Sequence, residues 1–407
     1  MIKHENALDA INITDEILSK TGPRLTGTKS CHKAGRILQS LFDKFCDTSV
    51  KEPFTCSRDA FLYFIPFFAV TYFIAFAFLM LGGKWVLGAN FSILTGSLVG
   101  LLEFVFYREV IDVFFKKVEC NNIVGTITPK KEIKQTIILS GHYDSPYVFR
   151  FLNQHQRLYK IRIVINIIFY LILTGLSLWL GIQFLFYDNN VENHQYFIWF
   201  LGLGLISMSQ FLFFTSKQIS PGAGDNLIVP GMLVKLSELF YQKKKEGAGL
   251  ESTQLIFLCP DAEESGLRGA REYVKEHQQE LKNIPTFNVN MDSIYRLQDI
   301  QFLESEINGL VQLDSNIRDE CQSIAKELGY IIPSIKIPFG GGSTDAAEFT
   351  KLGIPSLSII GLDTKFSGDV PYHTAFDTTD KIEPEAVLAC MQIAESFILQ
   401  KDVKILS

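Results

Sequence analysis

Along the 407-residue chain the polar and apolar positions are mixed except in four long apolar runs, Ala60 to Leu81, Trp85 to Tyr107, Ile163 to Tyr187 and Tyr196 to Thr215. Each approaches the roughly 20 apolar residues that cross a bilayer. A buried helix of a soluble core rarely stays apolar on every face for that length, so the runs predict four transmembrane helices. Short connections, LGGKW at 81–85 and DNNVENHQ at 188–195, fold them into two hairpins. Each hairpin returns the chain to the side it left, and all larger polar segments then share one side.

Elsewhere short β-prone runs alternate with helical periodicity. TIILS at 136–140, LIFLC at 255–259, TFNVNM at 286–291, IKIPF at 335–339 and LSII at 357–360 predict strands. Helices are expected at about 226–243, 266–283, 315–328, 344–352 and 384–400, with Pro230 demanding a kink or a late start in the first. This alternation predicts an α/β fold, a mostly parallel mixed sheet flanked by helices. The expected organisation is an N-terminal helical part (1–59), hairpin 1 (60–107), strands leading to a first ligand (108–160), hairpin 2 (161–216) and the remainder of the same domain (217–407). No internal repeat or low-complexity tract interrupts it.

Composition agrees with the spans: 47% of residues are hydrophobic, 34 are Phe and the mean hydropathy is +0.17, richer in apolar matter than a soluble enzyme needs. The first twenty residues carry charges throughout, which predicts no cleaved signal and a first span that acts as its own insertion signal. Lys44, Lys51, Arg108, Lys116, Lys117, Arg150, Arg157, Lys160, Arg162 and Lys217 flank the large segments, whereas the hairpin tips hold only Lys84. The positive-inside tendency then makes this an integral, multi-pass protein whose polar domain faces the cytoplasm. Seven cysteines without a Cys-x-x-Cys pair read as structural thiols. A net charge of -6 without a basic run argues against a nucleic-acid partner.

In an open α/β sheet, functional side chains collect beyond the carboxyl ends of the strands. There SGHYDSP offers His142, which can bind zinc, and Asp144, which can fix its tautomer. DAEESGLRG offers Glu263 and Glu264; adjacent carboxylates point apart, so one can ligate metal while the other serves water as a base. NMDSI ends with Asp292, VPYHTAFDTTDKI offers His373, and the helix after SPGAGDN places Asp225 at its first turn. Each alone has a plainer reading: Asp225 as a cap, Asp292 as a turn residue, His373 as a packed loop histidine, the Glu pair as solvated surface. Together, two imidazoles and several carboxylates at strand ends suit a pair of divalent metals.

Taken in order with TGPRLTGT at 21–28, CNNIVGTI at 120–127, GGSTD at 341–345 and HTAFDTTDKI at 373–382, these blocks resemble the co-catalytic zinc aminopeptidases, a family that includes bacterial leucyl aminopeptidases, glutamate carboxypeptidases and glutaminyl cyclases. The resemblance implies two Zn2+ ions: His142 and Asp292 on one, Glu264 and His373 on the other, Asp225 bridging. Glu263 would be the general base, Asp144 the residue that orients His142, and Tyr372 a donor to the oxyanion. Asp345 reads either as an acid near the substrate or as a helix cap. The implied activity is that of a membrane-bound exopeptidase, an aminopeptidase acting on short peptides, with peptide and membrane lipid as partners and an open oligomeric state. Gly224 and LIVPG depart from the family's paired aspartates and small-residue run. The larger departure is hairpin 2, inserted between His142 and Asp225, which would hold the site close above the membrane. The alternatives are a glutaminyl cyclase, a non-catalytic receptor, or a transporter, for which the spans supply few polar residues beyond Asn90, Glu103 and Asn166.

Overall fold

The computed structural model describes residues 2–187, 195–337, 340–366 and 368–405. Its strands are β1 (Thr48–Cys56), β2 (Val118–Ile127), β3 (Gln135–Ser140), β4 (Tyr147–Phe149), β5 (Thr215–Ile219), β6 (Thr253–Cys259), β7 (Thr286–Ile294), β8 (Gln301–Glu306), β9 (Val311–Gln312), β10 (Ser334–Lys336) and β11 (Ser356–Gly361). The main sheet runs β1-β2-β6-β3-β7-β11-β8-β10, with β9 beside β8, and β4 pairs β5 in a separate ribbon. Its centre, β6-β3-β7-β11, is parallel, while β1, β2 and the β8–β9 side bring antiparallel pairings. The sheet is thus mixed around a parallel centre.

Alternation along the central strands builds two apolar layers. Ile137 and Leu139 face a core shared with the helices His4–Thr21, Lys29–Phe45, Ile228–Lys245 and Pro384–Lys404. Ile138 faces the other layer, with Ala270, Tyr273, Leu281 and Phe349. Both faces are covered, so the strands read as continuous apolar runs.

The expected helices form with two differences. The helix on 266–283 is broken at His277 into Arg268–Glu276 and Gln278–Asn283. At the break the imidazole sits 2.9 Å from Glu52 of β1 and 3.2 Å from Glu280. The Glu52 hydrogen bond, against the cost of burial, pushes His277 up to about 9. A folded-state pKa above the unfolded value gives stability that is complete below about 6.5 and is lost as pH rises through about 9. The chemical-denaturation midpoint should therefore fall across that window, by an amount near 1 kcal/mol for a half-exposed pair, and His277→Gln should flatten it. The second difference is the helix near Asp225, which begins only at Ile228; Pro230 falls in its first turn, the late start its ring requires.

Three helical segments are long and apolar enough to cross a membrane: Phe61–Leu81, Trp85–Val105 and Gln156–Phe186, of 21, 21 and 31 residues. The fourth run forms a shorter apolar helix, Phe197–Phe213, and all but Gln195 of the connection at 188–195 lies outside the described residues. Between 28 and 39% of each long segment is buried, and Phe91 is 76% exposed. These helices are therefore not the interior of a soluble core. Their polar groups pair with one another: Ser177 donates to Asn90, Ser207 to Asn166 at 2.7 Å and Tyr72 to the Leu201 carbonyl at 2.8 Å. Bonds of this kind glue helices together. A methyl group on Gly96 would fall 2.2 Å from the Tyr170 hydroxyl, so this glycine serves packing within the bundle.

Candidate metal centre

Every predicted ligand arrives at one edge of the sheet. His142 follows β3, Glu263 and Glu264 follow β6, Asp292 lies near the end of β7, and His373 stands in the loop after β11. Asp225 is not in the first turn of a helix: it precedes Ile228 in non-helical backbone (φ -117, ψ 85), just after the left-handed Gly222. There its carboxylate is free to face the two imidazoles.

Asp225 Oδ1 lies 3.5 Å from His142 Nε2, and its Oδ2 lies 3.2 Å from His373 Nε2. His142 Nε2 is also 3.7 Å from Glu263 Oε2 and 3.8 Å from Asp292 Oδ1, while His373 Nε2 is 3.3 Å from Glu264 Oε2. The donor atoms of His142, Glu263 and Asp292, and those of His142, Asp225 and Glu264, each gather within 4.8 Å. His142 Nε2, Asp225 Oδ2 and Glu264 Oε1 are buried with no hydrogen-bond partner. Buried polar atoms rarely stay unsatisfied, and imidazole and carboxylate donors so placed are the set that suits zinc.

The charges point the same way. Burial opposes ionisation of Asp225, but His142 and His373 outweigh it and hold the carboxyl well below its usual range. Burial first, then the neighbouring carboxylates Glu264, Asp292 and Asp345, pushes Glu263 far up; burial and Asp225 push Glu264 up to about 7. Burial would lower His373, but Glu264 and Asp225 prevail and raise it to about 10. A cluster that draws protons this strongly is deficient in positive charge, and dications answer that deficit.

Asp144 stands behind the site. Its Oδ1 lies 3.2 Å from His142 Nδ1, and it accepts from Thr26 Oγ1 at 2.9 Å and from the Glu263 and Glu264 amides at 3.2 and 3.3 Å. One carboxylate thereby sets the imidazole and the acidic pair together. Asp144→Asn should cost about 10–100-fold in zinc affinity or turnover, read by zinc titration.

Three residues had no assigned role in the sequence. Arg24 is fully buried and donates only to carbonyls: Nε to Tyr143 at 2.8 Å, Nη1 to Pro221 at 2.9 Å and Nη2 to Gly222 at 2.7 Å. It cross-links the His142 strand end to the Asp225 loop. Arg24→Met should leave those carbonyls unpaired and lower the unfolding free energy by roughly 3 kcal/mol, measured by denaturant titration. Asp377 accepts from the Gly224 and Asp225 amides (2.7 and 3.2 Å) and from Tyr295 Oη at 3.0 Å. The Ser293 hydroxyl lies 3.2 Å from Asp225 and 2.9 Å from Asp292. Asp345 is buried and makes no cap hydrogen bond, and neither of its carboxylate oxygens has a hydrogen-bond partner among the described residues.

The loop that carries Tyr372 and His373 hangs on the start of the long apolar segment Gln156–Phe186 and the residues just before it. Gln156 donates to the Val370 carbonyl (2.6 Å) and accepts its amide (2.9 Å), Lys160 Nζ reaches the Thr364 carbonyl at 2.8 Å, and Asn153 accepts the Ala375 amide at 3.1 Å. Phe149 donates its amide to the His373 carbonyl and sets its ring 4.2 Å from the imidazole. The Tyr372 ring lies 4.0 Å from His373 on the other hand.

The profile of peptidase family M28 matches residues 213–398, which include Asp225, Glu263, Glu264, Asp292 and His373. No curated protein matches the chain in sequence. Among solved structures the chain is similar to a Bacteroides thetaiotaomicron glutaminyl cyclase bound to N-acetylhistamine (14% identity, 95% of each chain, TM-score 0.56). It is similar to a Zn-dependent exopeptidase from Parabacteroides distasonis (14%, 96% of this chain and 97% of that one, 0.56). It is also similar to a zinc aminopeptidase from Bacillus subtilis (14%, 97% and 94%, 0.55). Residues 213–398 therefore match peptidase family M28, and the chain as a whole has the fold of zinc aminopeptidases and glutaminyl cyclases.

Proposed function

We propose that the chain is a membrane-bound zinc exopeptidase, an aminopeptidase that removes N-terminal residues from short peptides with two zinc ions. The observation that carries this reading is the pair of buried imidazoles on opposite oxygens of Asp225, each with further carboxylates beside it. His142 and Asp292 would hold one ion, Glu264 and His373 the other, and Asp225 both. Zinc, when bound, supplies Lewis acidity to the peptide carbonyl and acidifies water at neutral pH. Glu263, at the edge of the cluster and 11% exposed, takes the proton of the attacking water on its carboxylate and returns it to the leaving amine. Tyr372 offers its phenol to the tetrahedral oxyanion. Asp345, a buried acid without a hydrogen-bond partner among the described residues, would receive the substrate's ammonium.

The exposed apolar helices and the short Phe197–Phe213 helix support four spans in two hairpins; the peptidase domain would then be divided as 1–59, 108–160 and 217–407, and the Lys and Arg residues that flank its segments support the cytoplasmic side. Glutaminyl cyclase chemistry is the second reading, favoured by the similarity to the Bacteroides enzyme. The test supplies purified protein with zinc and offers amino-acid anilides, dipeptides and peptides with N-terminal Gln. Release of free N-terminal residues supports the aminopeptidase, and loss of ammonia from Gln peptides without cleavage replaces it by the cyclase. Absence of turnover with every substrate in fully zinc-loaded protein sinks both.

A further inference from the structure

A cleft of about 360 Å³ opens between the helix Lys29–Phe45 and the paired strands β1 and β2. Lys29, His32 and Arg36, spaced i, i+3 and i+7, present one stripe of that helix to it. Lys51 of β1 completes a ring of basic groups, and Glu119 is the acid that faces them. Among the described residues Lys29, Arg36 and Lys51 make no ion pair. Asn121 Nδ2 lies 3.0 Å from His32 Nδ1; the amide nitrogen can only donate, so His32 keeps its proton on Nε2 and offers a further donor.

The cleft lies near the start of the first candidate span. A methyl group on Gly27, two residues before Lys29, would fall 2.5 Å from Val118, so this turn rests on the residue next to Glu119. Val118 pairs with Cys56, five residues before Phe61 opens that span. On the same stretch Val113 and Phe114 are 79 and 82% exposed, with the exposed Lys116 and Lys117 just beyond. Phe115 holds this turn against Tyr63 at the span's entry, with ring centroids 5.0 Å apart.

We propose that the cleft binds the phosphate of an anionic lipid headgroup while Val113 and Phe114 dip into the upper acyl region. Three exposed cations without an ion pair against one acid suit a phosphate, and a guanidinium grips two of its oxygens at once. The exposed apolar pair at the level of the span's entry favours a lipid over a free anion, because only a lipid brings acyl chains for these side chains to meet. The proposal rests on the membrane reading above, whereas the cleft's taste for phosphate does not.

The test titrates the detergent-purified full chain with dihexanoyl phosphatidic acid, dihexanoyl phosphatidylcholine and inorganic phosphate, and reads bound species by native mass spectrometry. Phosphatidic acid should bind once per chain, at least about tenfold tighter than either other probe. The double variant Arg36→Gln/Lys51→Gln should lose that preference and keep the parent's unfolding midpoint and zinc content. Val113→Ser/Phe114→Ser should weaken phosphatidic acid alone. Unchanged lipid binding in Arg36→Gln/Lys51→Gln overturns the cleft, and inorganic phosphate binding as tightly as phosphatidic acid overturns the lipid. Carbonate extraction of the chain from native membranes checks the spans separately, since release into the wash removes the membrane reading whatever the titration gives.

Discussion

Glu263→Gln should abolish peptide hydrolysis, with turnover falling by about 10³–10⁴-fold, while zinc content and unfolding midpoint stay near those of the parent. The amide keeps the shape of the side chain but cannot hold the water's proton. Its carboxylate lies 3.7 Å from His142 at the edge of the cluster, where a water held by the site could reach it. Glu264, one residue on, turns toward His373 instead. Glu264→Gln should therefore lower zinc occupancy first and turnover as a consequence. Turnover in Glu263→Gln within a few-fold of the parent would remove the mechanism.

Asp225→Asn should have the second large effect, and its signature differs. Zinc content, measured by elemental analysis, should fall from about two ions per chain toward one or none, and turnover should fall by about 10³-fold, equivalent to some 4 kcal/mol of lost electrophilic assistance. The reason is its position: one oxygen serves each imidazole, and no other described carboxylate touches both. Chelation of the parent should lower its melting temperature in a zinc-dependent way, since ions that bind only the folded chain stabilise it by mass action. Asp225→Asn should show little of that dependence. Retention of two zinc ions in Asp225→Asn would show that the bridge lies elsewhere.

Much of this site was legible in the sequence because it sits where strands stop. The apolar runs ending before His142 and Glu263 marked the carboxyl edge of the sheet, and side chains that follow such ends converge there whatever the loops between them do. Asp225 was placed one turn too late in the fold, because its non-helical backbone follows the left-handed Gly222 and has no apolar rhythm of its own. Arg24 was invisible as a cross-link: its partners are backbone carbonyls at positions 143, 221 and 222, and carbonyls leave no mark on a sequence. β8 escaped for a related reason. Its residues QFLESE end in Ser305 and Glu306, which are buried, and Glu306 is satisfied by Thr344, which lies far along the chain. The four apolar runs were plain in outline, because an unbroken apolar stretch needs no partner elsewhere in the chain to be seen.

The tether between Gln156, Lys160, Asn153 and the loop of His373 has a practical corollary for anyone trimming this protein to ease its handling. Excision at the visible edge of the apolar stretch would cut the moorings of an imidazole together with the helices. A version without these helices should keep residues 147–160 and 211–219 intact and bridge them. A bridge that frees position 156 should yield a folded chain with an ill-seated His373 and weaker zinc binding.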